Sequence, residues 1–201
     1  MPKSKVSEDF TFNEEVWVVS ILNTGAKMSG HSVILVEGIK DGAAFVRQCD
    51  ITAELLPEET KSIIREPFRN VKGKINQVRI FESYHPTLEY DKKSSRSVYA
   101  DPESVLLMLN AIEQDRDTTI KAQRGEGLYL QYEYSGRYSM FSSGAADNCP
   151  TWCYEKLKIA GINITPVGFD YIKAMPEKHV KPGVETTENT LEAATNICRL
   201  L

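Results

Sequence analysis

The stretch HSVILVEGIKDGAAFVRQCDI, residues 31–51, decides the fold because it predicts a β-hairpin. Two runs rich in β-branched residues lie on either side of Asp41 and Gly42, and an Asp-Gly pair readily supplies the positive φ angles of a tight turn. We expect a two-residue turn there. That turn places His31, the first residue of the hairpin, opposite Thr52.

The register of this hairpin decides which side chains lie beside the His31 ring. With a two-residue turn, Asp50 and Gln48 project from the same sheet face as His31, Asp50 as the diagonal neighbour and Gln48 further along. A glycine bulge in the turn would instead put Cys49 and Ile51 on that face. We favour Asp50, and then Gln48, as the group that orients the ring.

The rest of the chain alternates strand and helix patterns without an internal repeat. Strands are predicted at 16–22, 71–83, 128–136 and 162–174, and helices at 57–65, 101–122, 149–161 and 188–200. The polar segment 84–102 is predicted to be a mobile loop connection. The pattern indicates one α+β domain over residues 1–201, with an antiparallel sheet packed against helices and a flexible tail at 1–12.

The composition excludes several classes of protein. Hydrophobic residues at 41% and charged residues at 26% are ordinary globular values, which argues against disorder. A net charge of -4 provides no basic field for a nucleic acid. The longest apolar run near the N-terminus is too short to span a membrane and lacks the basic start of a secretory signal. Four scattered cysteines indicate free thiols, and so a cytoplasmic, reducing compartment.

The segment DNCPTWCYEKL, residues 147–157, predicts a helix that begins at a cysteine. Pro150 suits the first turn, which places Cys149 at or beside the N-cap. The unpaired N–H groups and positive dipole end there favour a thiolate and would also stabilise a substrate oxyanion. Cys153, one turn deeper, is predicted to be structural. The alternative interpretation is that both cysteines simply pack in the core.

A nucleophilic cysteine needs a base, and the chain has three histidines. His179 lies in a charged, proline-flanked linker, and His85 precedes a proline in the polar loop. His31 is the best candidate because it begins a strand that holds it rigidly. A histidine merely bonded to the backbone at a sheet edge is the competing interpretation.

A histidine that opens a hairpin, a polar residue on the partner strand and a later cysteine at a helix start resemble the NlpC-like branch of the papain-like fold. With histidine before cysteine, the order resembles its circularly permuted members, such as lecithin-retinol acyltransferase-like proteins. The resemblance covers residues 16–161 as a papain-like core and leaves 162–201 as a C-terminal extension. It matches His31 and Cys149 to the catalytic pair and gives Asp50 or Gln48 the third place.

The resemblance implies thioester chemistry. Lecithin-retinol acyltransferase-like proteins usually carry a second histidine on the partner strand, and this chain has none there. The resemblance therefore implies the thioester chemistry that the whole superfamily shares, and not acyltransferase activity in particular. We therefore predict a cysteine hydrolase, a papain-like peptidase in type, or an acyl transferase that acts on an amide, isopeptide or ester bond. Protein or peptide substrates are expected first, and lipid esters remain open.

Three further interpretations compete with this one. A non-catalytic protein-interaction domain on the same fold, binding through its tyrosine-rich face, is the main alternative. A zinc site built on Cys149 and Cys153 matches poorly, because C-x3-C without a second pair is not the usual ligand spacing. A redox pair of these cysteines would normally have the C-x-x-C spacing. No cofactor or metal is expected.

Overall fold

The computed structural model describes residues 1–24, 31–54, 70–78, 95–124, 129–139 and 146–164. These residues form eight strands and two helices, in the chain order β1 Trp17–Thr24, β2 His31–Lys40, β3 Ala43–Ala53, β4 Val71–Val78, β5 Arg96–Ala100, α1 Pro102–Gln114, β6 Arg116–Arg124, β7 Tyr129–Tyr138, β8 Ala146–Asp147 and α2 Cys149–Ile159.

The strands form one sheet in the order β5-β1-β2-β3-β4-β7-β6. Neighbours along this path are antiparallel, and the short β8 adds to β7 in parallel. The sheet curls into a half-barrel. Helix α2 packs on β2 and β3, which are inner strands of this sheet.

Alternation along the strands gives the sheet two apolar faces. One face carries the main core, to which both helices contribute buried side chains such as Met108 and Trp152. The other carries a smaller cluster of Leu22, Val33 and Leu35, on which Val6 packs. The N-terminal residues, predicted as a flexible tail, therefore lie against the sheet.

The two-residue turn predicted between β2 and β3 is confirmed. Asp41 and Gly42 have φ angles of 54° and 76°, and Lys40 pairs with Ala43. Both turn residues thus occupy the left-handed region that Asp tolerates and Gly adopts freely. The register then continues without a bulge to the pair of Ile34 with Cys49.

Helix α1 begins as predicted but ends earlier than expected. Asp101 caps it by accepting from the Ser104 N–H at 2.9 Å. The helix ends at Gln114, whereas the prediction extended it to residue 122. The apolar stripe of α1 stops at Ile112, and the residues from Arg116 form β6, which pairs with β7.

The predicted fold class is wrong. We expected an α+β antiparallel sheet packed against helices, with a papain-like, permuted NlpC-like core. The described residues instead form a sheet-dominated, curled half-barrel with two helices. Two stretches taken for helix or loop, residues 116–124 and 96–100, became sheet strands because neighbouring strands β7 and β1 offer them backbone partners.

Several predicted elements lie outside the described residues. These are the helix at 57–65, the helix at 188–200, the part of the strand at 162–174 beyond residue 164 and most of the C-terminal extension at 162–201. The end of α2 is confirmed near Gly161, which has a φ of 66°. The N–H of Gly161 bonds Lys158 and that of Ile162 bonds Leu157, which together close the helix in a Schellman motif.

The turn geometry predicts the effect of substitutions at Gly42. A side chain there meets nothing within 4 Å, so Gly42→Ala costs only the left-handed backbone strain, roughly 1–2 kcal/mol. Urea unfolding measures this loss. Asp41→Gly is the matched control, since glycine adopts the same backbone, and we expect a change within about 0.5 kcal/mol. Equal stability of Gly42→Ala and wild type would contradict the turn type.

Candidate active site

His31 and Asp50 meet where β2 begins. The His31 backbone pairs with Thr24 of β1, which holds this end of the strand in the sheet. The ring Nε2 lies 2.7 Å from Oδ2 of Asp50. The His31 side chain is 23% exposed and that of Asp50 is 7% exposed, so this bond is largely shielded from water. The hairpin register explains this contact, because Asp50 is the diagonal neighbour of His31.

The bond to Asp50 fixes the hydrogen on one ring nitrogen. Because an ionised carboxylate only accepts, Nε2 carries the hydrogen of this bond. Gln48, the second candidate for orienting the ring, pairs with Leu35 and Val78. It lies four residues from the Thr52 level of His31, roughly 13 Å along the strand. The structure therefore brings Asp50, and not Gln48, to the ring.

Cys149 is the first residue of α2, as the sequence predicted. Asn148 is the N-cap: its side-chain oxygen accepts from the Thr151 N–H at 2.9 Å, and the Thr151 hydroxyl accepts from the Asn148 N–H at 3.0 Å. This capping box fixes the turn that presents the sulfur. Cys149 is 7% exposed. The residue that carries the sulfur is therefore buried.

The Cys149 side chain is a hydrogen-bonding neighbour of the His31 ring. Burial lowers the pKa of His31, but the negative charge of Cys149 and the hydrogen bond to Asp50 outweigh burial and raise that pKa from 6.5 to about 11. The ring thus lies between the Asp50 carboxylate and the Cys149 side chain, and both groups raise its pKa. A cysteine beside a histidine that a carboxylate holds is the arrangement of a cysteine nucleophile and its base.

Tyr138 is another neighbour of the Cys149 sulfur. The sequence indicated only that it belongs to a tyrosine-rich face. Its backbone, at the end of β7, pairs with Asp147 of β8, two residues before Cys149. Its side chain hydrogen-bonds Cys149, and burial followed by the negative charge of Cys149 raises the pKa of Tyr138 well above its ordinary value. The hydroxyl therefore stays protonated and donates towards the sulfur.

Cys153 has the structural role that the sequence predicted. It is fully buried, and its Sγ donates to the Ser32 carbonyl at 3.6 Å. Burial, reinforced by the charge of Cys149, raises the pKa of the Cys153 thiol well above its ordinary value. Within the described ranges Cys49, Cys149 and Cys153 form no disulfide. The remaining sequence candidates, His85, His179 and Cys198, lie outside the described residues.

The zinc interpretation gains no support from the site. Among the residues whose placement the structure describes, no group of three or more His, Cys, Asp or Glu side chains has the geometry to hold a metal ion. Helices long and apolar enough to cross a membrane are likewise absent from those residues.

The chain matches no protein-family model, no curated protein and no solved structure. The interpretation of the site therefore rests on its own geometry and chemistry.

The site geometry predicts which cysteine reacts first. At about pH 6, iodoacetamide should alkylate Cys149 ahead of Cys49 and Cys153, because only a thiolate attacks readily. His31→Ala should slow the reaction by about tenfold or more, the effect of losing a charge-assisted hydrogen bond. Mass spectrometry of peptides after timed labelling gives the rates. Equal, slow labelling of all three residues would argue against an activated sulfur.

The influence of Cys149 on the pKa of His31 leads to a second prediction, for a variant that lacks the sulfur. In Cys149→Ala the raising influence of Cys149 is lost while burial and the hydrogen bond to Asp50 remain, so the pKa of His31 should fall below its wild-type value. Nitrogen-15 NMR of the imidazole follows this directly. Cys153→Ala is the matched control and should leave the His31 titration unchanged. A His31 ring that titrates identically in wild type and Cys149→Ala would mean that the two groups do not interact.

Proposed function

We propose that the protein is a cysteine-dependent hydrolase or acyl transferase that acts on an amide, isopeptide or ester bond through a thioester intermediate. One observation carries the proposal: the His31 ring bonds the Asp50 carboxylate at 2.7 Å and also interacts with the Cys149 side chain. Nucleophile, base and orienting carboxylate in contact are the parts that acyl transfer through a cysteine needs.

In the first step the Cys149 thiolate attacks the substrate carbonyl carbon. The new carbon–sulfur bond forms as the carbonyl π pair moves onto oxygen, giving a tetrahedral oxyanion. Pro150 has no N–H, and the Thr151 N–H is bound by Asn148. We therefore assign the Cys149 N–H and the Tyr138 hydroxyl as the oxyanion donors.

In the second step the intermediate collapses. The oxygen pair re-forms the carbonyl, the bond to the leaving group breaks, and protonated His31 gives its proton to the departing amine or alcohol. Neutral His31 then takes a proton from the incoming water, which attacks the thioester and releases the acid and the Cys149 thiolate. An amine in place of water gives transfer through the same steps. Asp50 holds the ring in one orientation throughout.

The substrate class follows from the chemistry of the nucleophile. A protein or peptide amide is the substrate we favour, and a lipid ester uses the same attack. The reaction needs a free thiol, so we place the protein in a reducing compartment such as the cytoplasm.

A non-catalytic interaction domain is the second candidate. The observation in its favour is the 7% exposure of Cys149, which is low for a nucleophile that must meet a substrate. In that case the group of His31, Asp50 and Cys149 serves stability alone. The two candidates differ in whether a carbonyl compound acylates the sulfur.

Reaction with p-nitrophenyl acetate tests the proposal. We expect a burst of p-nitrophenol equal to one per chain, with an acetyl group on Cys149 shown by mass spectrometry. His31→Ala should slow the burst by roughly 100-fold or more, the usual contribution of a general base or acid. Cys153→Ala should retain the burst. Absence of acetylation at Cys149 in the folded wild type would favour the interaction domain.

A further inference from the structure

Three polar side chains lie in a row across the sheet beside the site. Asp50 of β3 is directly opposite Asn76 of β4, and Asn76 is directly opposite Gln131 of β7. Directly opposed residues share one face, so the row continues the face that carries the bond between His31 and Asp50. Asp50 and Asn76 are buried, and Gln131 is half-buried.

Hydrogen bonds join every member of this row. The Gln131 Nε2 donates to Asn76 Oδ1 at 2.7 Å. The Asn76 Nδ2 donates to Asp50 Oδ2 at 2.8 Å and to the Thr52 hydroxyl at 3.1 Å. Both ends of the Asn76 amide are therefore used, which leaves that side chain a single orientation.

The charge of Asp50 sets the direction of the whole row. An ionised carboxylate only accepts, so Asn76 must turn its NH₂ group towards Asp50. Its carbonyl oxygen then faces Gln131, which must turn its own NH₂ group towards Asn76. All the donors in the row thus point towards the carboxylate that binds His31.

The Asn76 amide and the His31 ring bond the same oxygen, Oδ2 of Asp50. The terminal torsion of an aspartate is broad, so a carboxylate with one partner retains freedom to rotate. A second donor on the same oxygen removes that freedom. We propose that Asn76 is a positioning residue, supported by Gln131, that fixes the Asp50 carboxylate and through it the His31 ring towards Cys149. The catalytic meaning of this inference rests on the proposed function.

A polar row that only stabilises the sheet and a row that positions His31 would respond differently to the loss of one member. In the first case, the loss would lower the free energy of unfolding without changing the His31 ring. A positioning role changes the protonation and the chemical shifts of that ring in protein that is still folded. The test must therefore compare two variants that lose similar buried hydrogen bonds.

Gln77 supplies the matched control. It is the next residue of β4, faces the other side of the sheet, and is buried. Its side chain donates to Glu113 and accepts from Arg116, both at 3.3 Å. Gln77→Leu therefore removes buried hydrogen bonds from the same strand without touching Asp50.

The experiment measures the His31 imidazole by nitrogen-15 NMR and the alkylation of Cys149 by iodoacetamide in the full chain. We expect Asn76→Leu to shift the His31 signals, lower the pKa of the ring, and slow alkylation about tenfold, the effect of losing a hydrogen bond to a charged group. Gln77→Leu should leave both readouts at wild-type values, even where urea unfolding shows similar destabilisation.

Identical His31 spectra and alkylation rates in folded Asn76→Leu and Gln77→Leu would overturn the inference. If Asn76→Leu does not fold, Gln131→Met replaces it, since Gln131 is half-buried and its loss frees one end of the Asn76 amide. We then expect smaller shifts of the same His31 signals, and no shift overturns the inference. Failure of wild type to form an acetyl thioester would refute the enzyme proposal separately, because the His31 spectra report positioning without any substrate.

Discussion

The bond between His31 and Asp50 depends on one constraint, the positive φ angles of Asp41 and Gly42. Because side chains alternate along a strand, one extra residue in that turn would move Asp50 to the opposite sheet face and bring Cys49 forward. The turn is about ten residues from His31, yet it determines which chemical group the imidazole meets. The hairpin register therefore determines which side chains form the site.

The second half of the site is supplied by local helix chemistry. Asn148 and Thr151 close the capping box, and the proline that follows Cys149 keeps the chain in the helical turn. This assembly needs few distant contacts to form. Helix α2 also contacts β2 directly, and the Cys153 Sγ donates to the Ser32 carbonyl at 3.6 Å.

The sequence predicted the parts of the molecule that local patterns determine. The hairpin register, the start of both helices and the contact of His31 with Asp50 follow from turn chemistry and periodicity over a few residues. The extent of the sheet did not follow. The charge and polarity of residues 116–124 are compatible with a continuation of helix α1. Pairing with β7 makes them a strand instead. The β-branched residues Thr118, Thr119 and Ile120 were the signal in the sequence that favoured a strand. The five residues of β5 lie at the end of a polar segment of the sequence and take their conformation from β1.

Three neighbours of the site were missed for the same reason. Asn76 and Gln131 are polar residues at strand positions that an alternating pattern assigns to solvent, and only the cross-strand register of β3, β4 and β7 reveals that they meet Asp50. Tyr138 contacts Cys149 because β8 pairs with the end of β7, and a two-residue strand leaves no periodic trace in the sequence. Contacts between distant segments, rather than local preference, decide these positions.

The brevity of β8 has a consequence for how Cys149 behaves in time. Ala146 and Asp147 form a two-residue strand that pairs with Arg137 and Tyr138, whereas β2 and β3 are held by long ladders on both sides. A short edge segment detaches at a small fraction of the free energy that global unfolding requires. Amide hydrogen exchange at the start of α2 should accordingly be faster than in β2 and β3. Reagent access to the sulfur would then be governed by this subglobal opening rather than by its static exposure.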